Sequence, residues 1–418
     1  MNMKANYLII IIALLVGCSQ PKTELNRNEL FVGASSASIN PDVGMFIAGD
    51  KQNRRFTGIH DSIYAKAIVL NDGNSSLAIV TIDCIGLLYP DVQKIRAKGS
   101  ALVTNIDLPK ERIIVTSSHT HSGPDVVGIW GPRQEESGVD SAYMNRMITI
   151  AAKQIEKAAQ SMNRAKAQYG VGEFGEEWVQ NICEPDEVDR SVTTMQFIDD
   201  EGKNIASLTN FACHPTFLDA VHTLVSSDYV GAFYNSMSEQ MSGEHVFLQG
   251  AIGGWVQPDK GDKSFAISTQ RGEELASTVL NLLDKKNLLD STNINFRNIV
   301  FDLPISNPGF QQLSQLGIIN REIGETTKSE IAWFAIGPAQ FVTHPGETPP
   351  AFSFASKSWM NSEPKFVLGL GLDAVGYILK PEYFTDPDMP YAEYLTRMSP
   401  GPEAGPLVLN NVKKVILE

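Results

Sequence analysis

The sequence predicts an α/β fold in which a mixed β-sheet is flanked by helices. Runs rich in β-branched residues alternate with stretches of helical periodicity, and several of these runs are joined by short polar turns. Alternation of strands with helices favours parallel pairing, whereas tight turns favour antiparallel pairing, so both together predict a mixed sheet. The chain of 418 residues is 43% hydrophobic and 20% charged, which is sufficient for a large buried core.

Three hairpins and several single elements follow from these patterns. Short turns join the predicted strands in pairs: Tyr64–Leu70 with Ser76–Ile85, Thr193–Ile198 with Ile205–Ala212, and Ile331–Ile336 with Gln340–Thr343. Two further strands are predicted at Arg112–Ser117 and His245–Gln249. Helical spacing predicts helices at Asp91–Val103, Ala142–Ala159, Tyr229–Met241 and Thr269–Leu283.

The amino-terminal segment is typical of an export signal. Lys4 precedes the apolar run Tyr7–Val16, which is far shorter than the roughly 20 residues of a membrane-spanning helix. The run ends in Leu15-Val16-Gly17-Cys18, which resembles a bacterial lipobox, although an ordinary signal with a chance cysteine is the alternative. We therefore expect a lipoprotein signal peptide over residues 1–18, a tether over 19–28 and a single catalytic domain over 29–418. Such a protein would be exported to the cell envelope, on its periplasmic or outer-membrane face, and held to the membrane by a lipid on Cys18.

Charge and cysteine content narrow the classes of function. The formal net charge is −14 and no cluster of Lys and Arg is present, so nucleic acid is not an expected partner. If Cys18 is acylated, three cysteines remain, and their spacing fits no zinc–cysteine pattern. At most one disulfide is possible among them. We expect Cys84 to be a small buried residue, because it lies within the apolar run Leu77–Leu88.

The strongest local motif is the segment Thr-Ser-Ser-His-Thr-His-Ser-Gly-Pro-Asp at residues 116–125. His119 and His121 follow the predicted strand Arg112–Ser117. We expect them not to chelate one metal together, as a helical histidine pair does, but to divide the tasks of metal ligand and substrate contact. A His-x-His pair alone is weak evidence for a metal site.

Two other loops carry candidate residues at strand ends. His214 follows the apolar run Ile205–Cys213, where it could also be an ordinary strand-end histidine. Glu347 lies in the loop His344-Pro-Gly-Glu-Thr-Pro, where a carboxylate could instead stabilise the start of a helix, and His344 is a further candidate ligand. Because loops at one edge of a sheet commonly form the functional site, we expect these residues to meet in one pocket.

Four motifs in this order resemble the neutral/alkaline ceramidase family. They are His-Thr-His-Ser-Gly-Pro at 119–124, Asn-Phe-Ala-Cys-His-Pro at 210–215, Pro-Gly-Glu at 345–347 and Gly-Tyr-Ile-Leu-Lys-Pro-Glu-Tyr at 376–383. The resemblance implies the fold of that family's catalytic domain and a Zn²⁺ ion held by His119, His214, Glu347 and Tyr377. It further implies that His121 lies beside the zinc and contacts the reacting group. Tyr377 would also stabilise an oxyanion.

The chain departs from the family pattern in three places. The family's catalytic serine, in a Gly-Asp-Val-Ser-Pro segment, is matched here by Gln257, which can donate a hydrogen bond but cannot be a nucleophile. The family's Asn-Arg pair is matched best by Asn181-Ile182, without the arginine, and we expect no C-terminal β-sandwich.

Asp228 could orient a ligand histidine or simply cap the following helix, and Asp125 is equally ambiguous.

These features lead to one main hypothesis and two alternatives. The main hypothesis is a zinc-dependent hydrolase that uses metal-activated water on an amide or ester bond, with N-acyl lipids as the family precedent. His121, Tyr377 and Gln257 would be its catalytic groups. The alternatives are a zinc hydrolase of the same fold acting on a sugar-linked or other small molecule, and a surface lipoprotein that only binds. The retained ligand set disfavours the binding protein.

Overall fold

The structure, a computed structural model, describes residues 29–259 and 261–418. The predicted signal peptide, the lipid-anchor residue Cys18 and the tether lie outside the described residues. Within the described part of the chain, no helix has the length and apolar character needed to cross a bilayer.

The described elements alternate between strands and helices along the chain. The strands are β1 (Leu30–Ser38), β2 (Gly58–Ile59), β3 (Tyr64–Asn71), β4 (Ser76–Ile82), β5 (Ile113–Ser117), β6 (Asn163–Glu173), β7 (Val179–Asn181), β8 (Ser191–Ile198), β9 (Asn204–Phe211), β10 (Leu224–Val225), β11 (Glu244–Gln249), β12 (Val256–Pro258), β13 (Asn287–Leu288), β14 (Ile294–Pro304), β15 (Thr326–Ile336), β16 (Ala339–Thr343) and β17 (Lys365–Leu368). The helices are α1 (Tyr89–Leu102), α2 (Ser141–Gln160), α3 (Tyr229–Gln240), α4 (Phe265–Leu283), α5 (Pro308–Gln315), α6 (Pro350–Trp359), α7 (Glu382–Thr385), α8 (Ala392–Arg397) and α9 (Ala404–Leu417).

The larger sheet has the order β11-β9-β8-β6-β1-β3-β4-β5, with β13 paired to β6. Its pairs are antiparallel except β9–β11 and β4–β5, which are parallel. The predicted mixed sheet is therefore confirmed, as are the three predicted hairpins. Strand β4 is buried along its whole length because the sheet is covered on both faces.

A second sheet, β14-β15-β16-β17, packs beside the first. Helix α9 covers it with an apolar stripe at Val408, Val412 and Val415, spaced by four and three residues as a helical face requires. A buried ion pair joins the second sheet to α1, because Arg96 Nη1 lies 2.6 Å from Glu330 Oε2 on β15. The sequence patterns predict only the β15–β16 hairpin of this layer.

The larger sheet curls until its two ends meet. In the described residues β11 pairs only with β9, and β5 only with β4. Side chains connect these ends: Thr81 Oγ1 on β4 donates to the carbonyl of Phe247 on β11 at 3.1 Å, and the Thr81 and Thr116 hydroxyls are 2.9 Å apart. The end of β5 consequently lies next to the ends of β9 and β11.

Candidate metal centre

His119 stands just beyond the end of β5 in a left-handed backbone conformation, with φ of 71°. Its backbone N–H donates to the carbonyl of Cys84 at 2.9 Å. Its ring Nδ1 lies 2.5 Å from the carbonyl of Ile85, an atom that can only accept a hydrogen bond. Nδ1 therefore carries the proton, and Nε2 presents its lone pair to the site. Burial lowers the pKa of His119 to about 3, which keeps the ring neutral.

His214, beyond the end of β9, is held in the same way. Its backbone N–H donates to the carbonyl of Val256 at 3.0 Å, and its ring Nδ1 lies 2.7 Å from that same carbonyl. Nε2 is again the nitrogen left with a lone pair. Both buried imidazoles thus have their Nδ1 tied to a main-chain carbonyl, the arrangement that typically orients histidine ligands of metals.

Glu347 supplies a carboxylate to the same point. Its Oε2 lies 3.1 Å from His214 Nε2 and 3.6 Å from His119 Nε2. The loop can turn here because Gly346 has φ of 152°, where a Cβ would also approach the Gly376 carbonyl to 2.5 Å. Burial raises the pKa of Glu347, whereas the positive charge that His119 and His214 carry when protonated lowers it; the net shift is downward and favours the carboxylate.

His121 joins the other two histidines. Its Nε2 lies 3.4 Å from His119 Nε2, and the potential ligand nitrogens of His119, His121 and His214 all lie within 4.8 Å of one another. The expectation that the two histidines would not share one ion is not supported by this geometry, because their Nε2 atoms lie close to each other and to the potential ligand nitrogen of His214. His121 Nδ1 lies 3.4 Å from Asp50 Oδ1.

Tyr377 closes the site from the side of Glu347. The two residues are bridge partners, because the backbone N–H of Glu347 donates to the Gly376 carbonyl and that of Ile378 to the Glu347 carbonyl, both at 3.0 Å. Burial and the neighbouring Glu347 carboxylate raise the pKa of the Tyr377 phenol well above its usual range. The indole Nε1 of Trp255 lies 2.9 Å from the phenol oxygen.

The donor set fits zinc. Two neutral imidazoles and a carboxylate converge, and a third imidazole and a phenol stand beside them, which matches the nitrogen and oxygen ligands that Zn²⁺ takes in catalytic sites. A neutral imidazole carries one proton, and in His119 and His214 that proton is on Nδ1. Neither ring therefore has an Nε2 proton to donate to Glu347. A cation between these atoms would satisfy all three. The structure thus brings the four predicted ligands and His121 together, while the identity of the ligands stays a prediction.

Other candidate residues have structural roles. Both ring nitrogens of buried His344 face hydroxyl groups, with Nδ1 2.7 Å from Thr348 and Nε2 3.0 Å from Ser356. Asp228 caps α3 and accepts hydrogen bonds from the Leu218 and Tyr229 backbone and from the Ser268 hydroxyl. Asp125 accepts three backbone hydrogen bonds, from residues 127, 128 and 130. These contacts account for His344, Asp228 and Asp125 without a metal.

Gln257 lies on β12, opposite Gln180 of β7. It directly follows Val256, whose carbonyl orients His214, so it stands next to the site, and its catalytic role stays a prediction. Asn181 uses its side chain to hold a turn: its oxygen accepts from the Cys183 and Glu184 backbone and its nitrogen donates to the Glu187 carbonyl. These contacts give Asn181 a structural role in this turn, and its correspondence to the asparagine of the family's Asn-Arg pair stays a prediction.

Three residues to which the sequence analysis assigned no role contact the site residues. Asp50 contacts His121, Trp255 contacts Tyr377, and Gln249 joins the loops of His119 and His214. Trp255 has φ of 61° and follows Gly254 with φ of 78°.

Cys84, Cys183 and Cys213 are buried with free thiols, and Cys84 is the small buried residue expected.

Comparisons with known proteins agree with this geometry. Residues 40–280 match the family described as neutral/alkaline non-lysosomal ceramidase, N-terminal. Neutral ceramidase from Pseudomonas aeruginosa is 22% identical over 204 residues, which cover 46% of this chain and 30% of that protein. The crystal structure of that organism's neutral ceramidase superposes with a TM-score of 0.77 at 16% identity, over 94% of this chain and 74% of that chain. A structure described as ceramidase complexed with C2 gives 0.72 at 16% identity, over 93% and 75%.

These matches show the fold and the family. At 16% identity the structural likeness shows that the fold is shared, which confirms the predicted ceramidase-like architecture. In sequence, the match spans only 30% of the curated relative's length. The family match, however, takes in more than half of the 418 residues. The chain belongs to the neutral/alkaline non-lysosomal ceramidase family.

Proposed function

We propose that this protein is a zinc-dependent hydrolase that cleaves the amide bond of an N-acyl substrate. Family membership supports the reaction class, because the relatives it matches are named neutral ceramidase, and ceramide is an N-acyl lipid. The observation that carries the proposal is the shared orientation of His119 and His214. Each ring gives its Nδ1 to a main-chain carbonyl, and each Nε2 then faces the same Glu347 oxygen.

His119, His214 and Glu347 would hold the ion, with Tyr377 or His121 as a further ligand. When bound, zinc would polarise the acyl carbonyl and lower the pKa of a water molecule to about 7. His121 has its Nδ1 toward Asp50, so its Nε2 is the atom that can accept or donate a proton at the site. The Tyr377 phenol, fixed by Trp255, can donate a hydrogen bond to an oxygen that develops negative charge.

The walls of the site differ in character. The aromatic part is formed by Trp255, which packs against Tyr391 and Tyr394 with ring centroids 4.8 and 5.2 Å away, and these tyrosines are 58% and 38% exposed. The charged part is formed by Asp50 and Arg54 beside His121. An apolar wall suits an acyl chain and a polar wall suits a hydroxyl-bearing head group. An N-acyl lipid has both parts, which favours it over a uniformly polar substrate.

The test combines a metal assay with a substrate screen. We expect the purified chain to hold close to one zinc, and His119→Ala and His214→Ala to lose it together with the stability that a bound metal confers. His245→Ala is the matched control. This buried imidazole lies near the start of β11, away from the site, and contacts the Ser207 hydroxyl and the Met241 carbonyl, so its loss should leave the zinc in place.

The screen compares N-acyl sphingoid bases with N-acyl amino acids, lactones and sugar esters. Release of fatty acid from N-acyl substrates, reversed by a chelator and restored by zinc, supports the proposal. A chain that binds no zinc, or one that cleaves only esters and lactones, would exclude it. Binding of these compounds without turnover would point instead to a binding protein of the same fold.

A further inference from the structure

We propose that the side-chain amide of Gln249 is a positioning residue that sets the spacing between His119 and His214. This inference rests on the proposed function, because it assumes that the two histidines hold a metal. Gln249 is the last residue of β11 and its side chain is completely buried. It therefore lies at the level where β5 and β9 end and the two histidine loops begin.

The amide reaches both loops at the residue before each histidine. Its Nε2 donates to the carbonyl of Ser118 at 3.1 Å and to the carbonyl of Cys213 at 2.9 Å. Its Oε1 accepts from the backbone N–H of Cys213 at 3.3 Å and from that of Gly250 at 3.1 Å. A single planar group thus connects Ser118 to Cys213, and its fixed geometry determines the distance between the following residues.

The main chain of Gln249 extends this connection to the third predicted ligand. Its carbonyl accepts a hydrogen bond from the N–H of Gly369 at 2.9 Å. The next residue, Leu370, donates to the carbonyl of Gly346 at 3.2 Å, immediately before Glu347. Gln249 is therefore one or two hydrogen bonds away from the main chain beside His119, His214 and Glu347.

The connection matters because no backbone ladder joins β5 to β11 in the described sheet. His119 and His214 follow β5 and β9, which are separated by five other strands in the sheet order, so the distance between the two histidines depends on how the ends of the sheet meet. Only a side chain with two donors and an acceptor at this position satisfies both loops. Glutamate has the shape but cannot donate to the two carbonyls, and methionine has the volume but no polar group.

The experiment measures zinc affinity rather than turnover. The variants Gln249→Glu and Gln249→Met are compared with Asn210→Asp and Asn210→Leu. Asn210 is a matched control, since its buried amide also makes three hydrogen bonds between strands, to Leu248 and Val367, but none to a histidine loop. Zinc dissociation constants come from chelator competition, the coordination geometry from the visible spectrum of the Co²⁺-substituted protein, and the stability of the metal-free forms from thermal unfolding.

We expect the Gln249 variants to bind zinc at least about tenfold more weakly and to shift the Co²⁺ spectrum, because groups around a metal site typically contribute 10–100-fold in affinity. The Asn210 variants should lose stability but keep the wild-type affinity and spectrum. If the wild type binds zinc and folded Gln249 variants bind it equally well, the inference is overturned and the proposed function stands.

Two other outcomes are also decisive. If wild-type protein binds no zinc, the proposed function fails and this inference fails with it. If both Gln249 variants fail to fold even with zinc added, while both Asn210 variants fold, the amide supports the whole domain rather than the ligand spacing, and the inference is again overturned. If only Gln249→Met fails to fold, the zinc affinity and the Co²⁺ spectrum of the Gln249→Glu protein decide whether the inference holds.

Discussion

The indole N–H of Trp255 donates to the phenol oxygen of Tyr377 at 2.9 Å, so a ring from the β11–β12 loop fixes a predicted metal ligand from the far end of the chain. Gly254 and Trp255 both adopt left-handed backbone conformations to place the indole there. Strain of this kind in a non-glycine residue costs about 1–3 kcal/mol and is typical of functional sites. The contact stands where the family has its catalytic serine segment.

Trp255→Phe keeps the aromatic wall but removes this hydrogen bond. We expect kcat to fall by about tenfold, the equivalent of one hydrogen bond of about 1–1.5 kcal/mol, with the zinc content unchanged. Steady-state kinetics on the substrate found by the screen measure the effect. Trp333→Phe is the control, because it removes an indole hydrogen bond to Gln340 on the second sheet. Equal kcat in both variants would mean that the Trp255 contact has no part in turnover.

His121→Ala should lower turnover by about 10²–10⁴-fold while zinc stays bound, because general acid–base assistance contributes that much. His121 Nε2 faces the site, and its Nδ1 faces Asp50. Kinetics and metal analysis on the same preparation distinguish a role of His121 in proton transfer from a role as a metal ligand. Loss of zinc from this variant would instead make His121 a ligand, as its 3.4 Å approach to His119 permits.

Gln257→Ala should reduce turnover far less than His121→Ala, by about tenfold, since only a positioning hydrogen bond would be lost. A serine-directed covalent inhibitor should leave activity intact, whereas a chelator should abolish it reversibly. Mass spectrometry and activity assays check both statements. Stoichiometric labelling of a serine together with loss of activity would show that a serine nucleophile operates.

Acid should destabilise the protein partly through His344. Burial lowers the pKa of His344 to about 3 in the folded state, against about 6.5 in the unfolded chain. The unfolded chain therefore takes up a proton first as the pH falls, so this contribution to stability is present above pH 6.5 and is lost toward pH 3. Urea unfolding of wild type and His344→Leu should show a shallower pH slope in the variant, by up to about 1.4 kcal/mol per pH unit. Equal pH slopes of the unfolding free energy in the two proteins would show that His344 is not a source of the acid sensitivity.

Cys18 lies outside the described residues, and we propose that it carries a lipid in the cell envelope. Wild-type protein should incorporate a palmitate analogue and partition into detergent, because a covalently attached acyl chain adds about 0.8 kcal/mol of membrane affinity per buried CH₂. Cys18→Ser should do neither. Equal solubility of the two proteins, without labelling, would rule out the anchor.

Local patterns in the sequence predicted much of this molecule. The hairpins, the strand before His119 and helices α1 to α4 all lie within a few residues of their predicted positions, since periodicity and turn residues act locally. The motif order also placed the four predicted ligands in one site. By contrast, β1 and β14 have no strong pattern, because their exposed and buried residues alternate irregularly.

The contacts that support the site could not be predicted in this way. Asp50 reaches His121 across 71 positions, and Gln249 reaches Ser118 across 131. Neither contact could be found from local patterns, because each joins segments that are far apart along the chain. Asp228, in contrast, was predicted to cap α3 as one of two options, and the structure confirms that option.

The curled sheet has a consequence for the order in which the protein loses structure. Its ends meet through hydroxyl and amide side chains, without the backbone hydrogen bonds that join its neighbouring strands. A metal held by residues on both sides of this junction would cross-link the two ends of the sheet. Loss of the metal would allow the ends to separate before the rest of the sheet unfolds. Control of metal supply would then also control how long the protein stays folded.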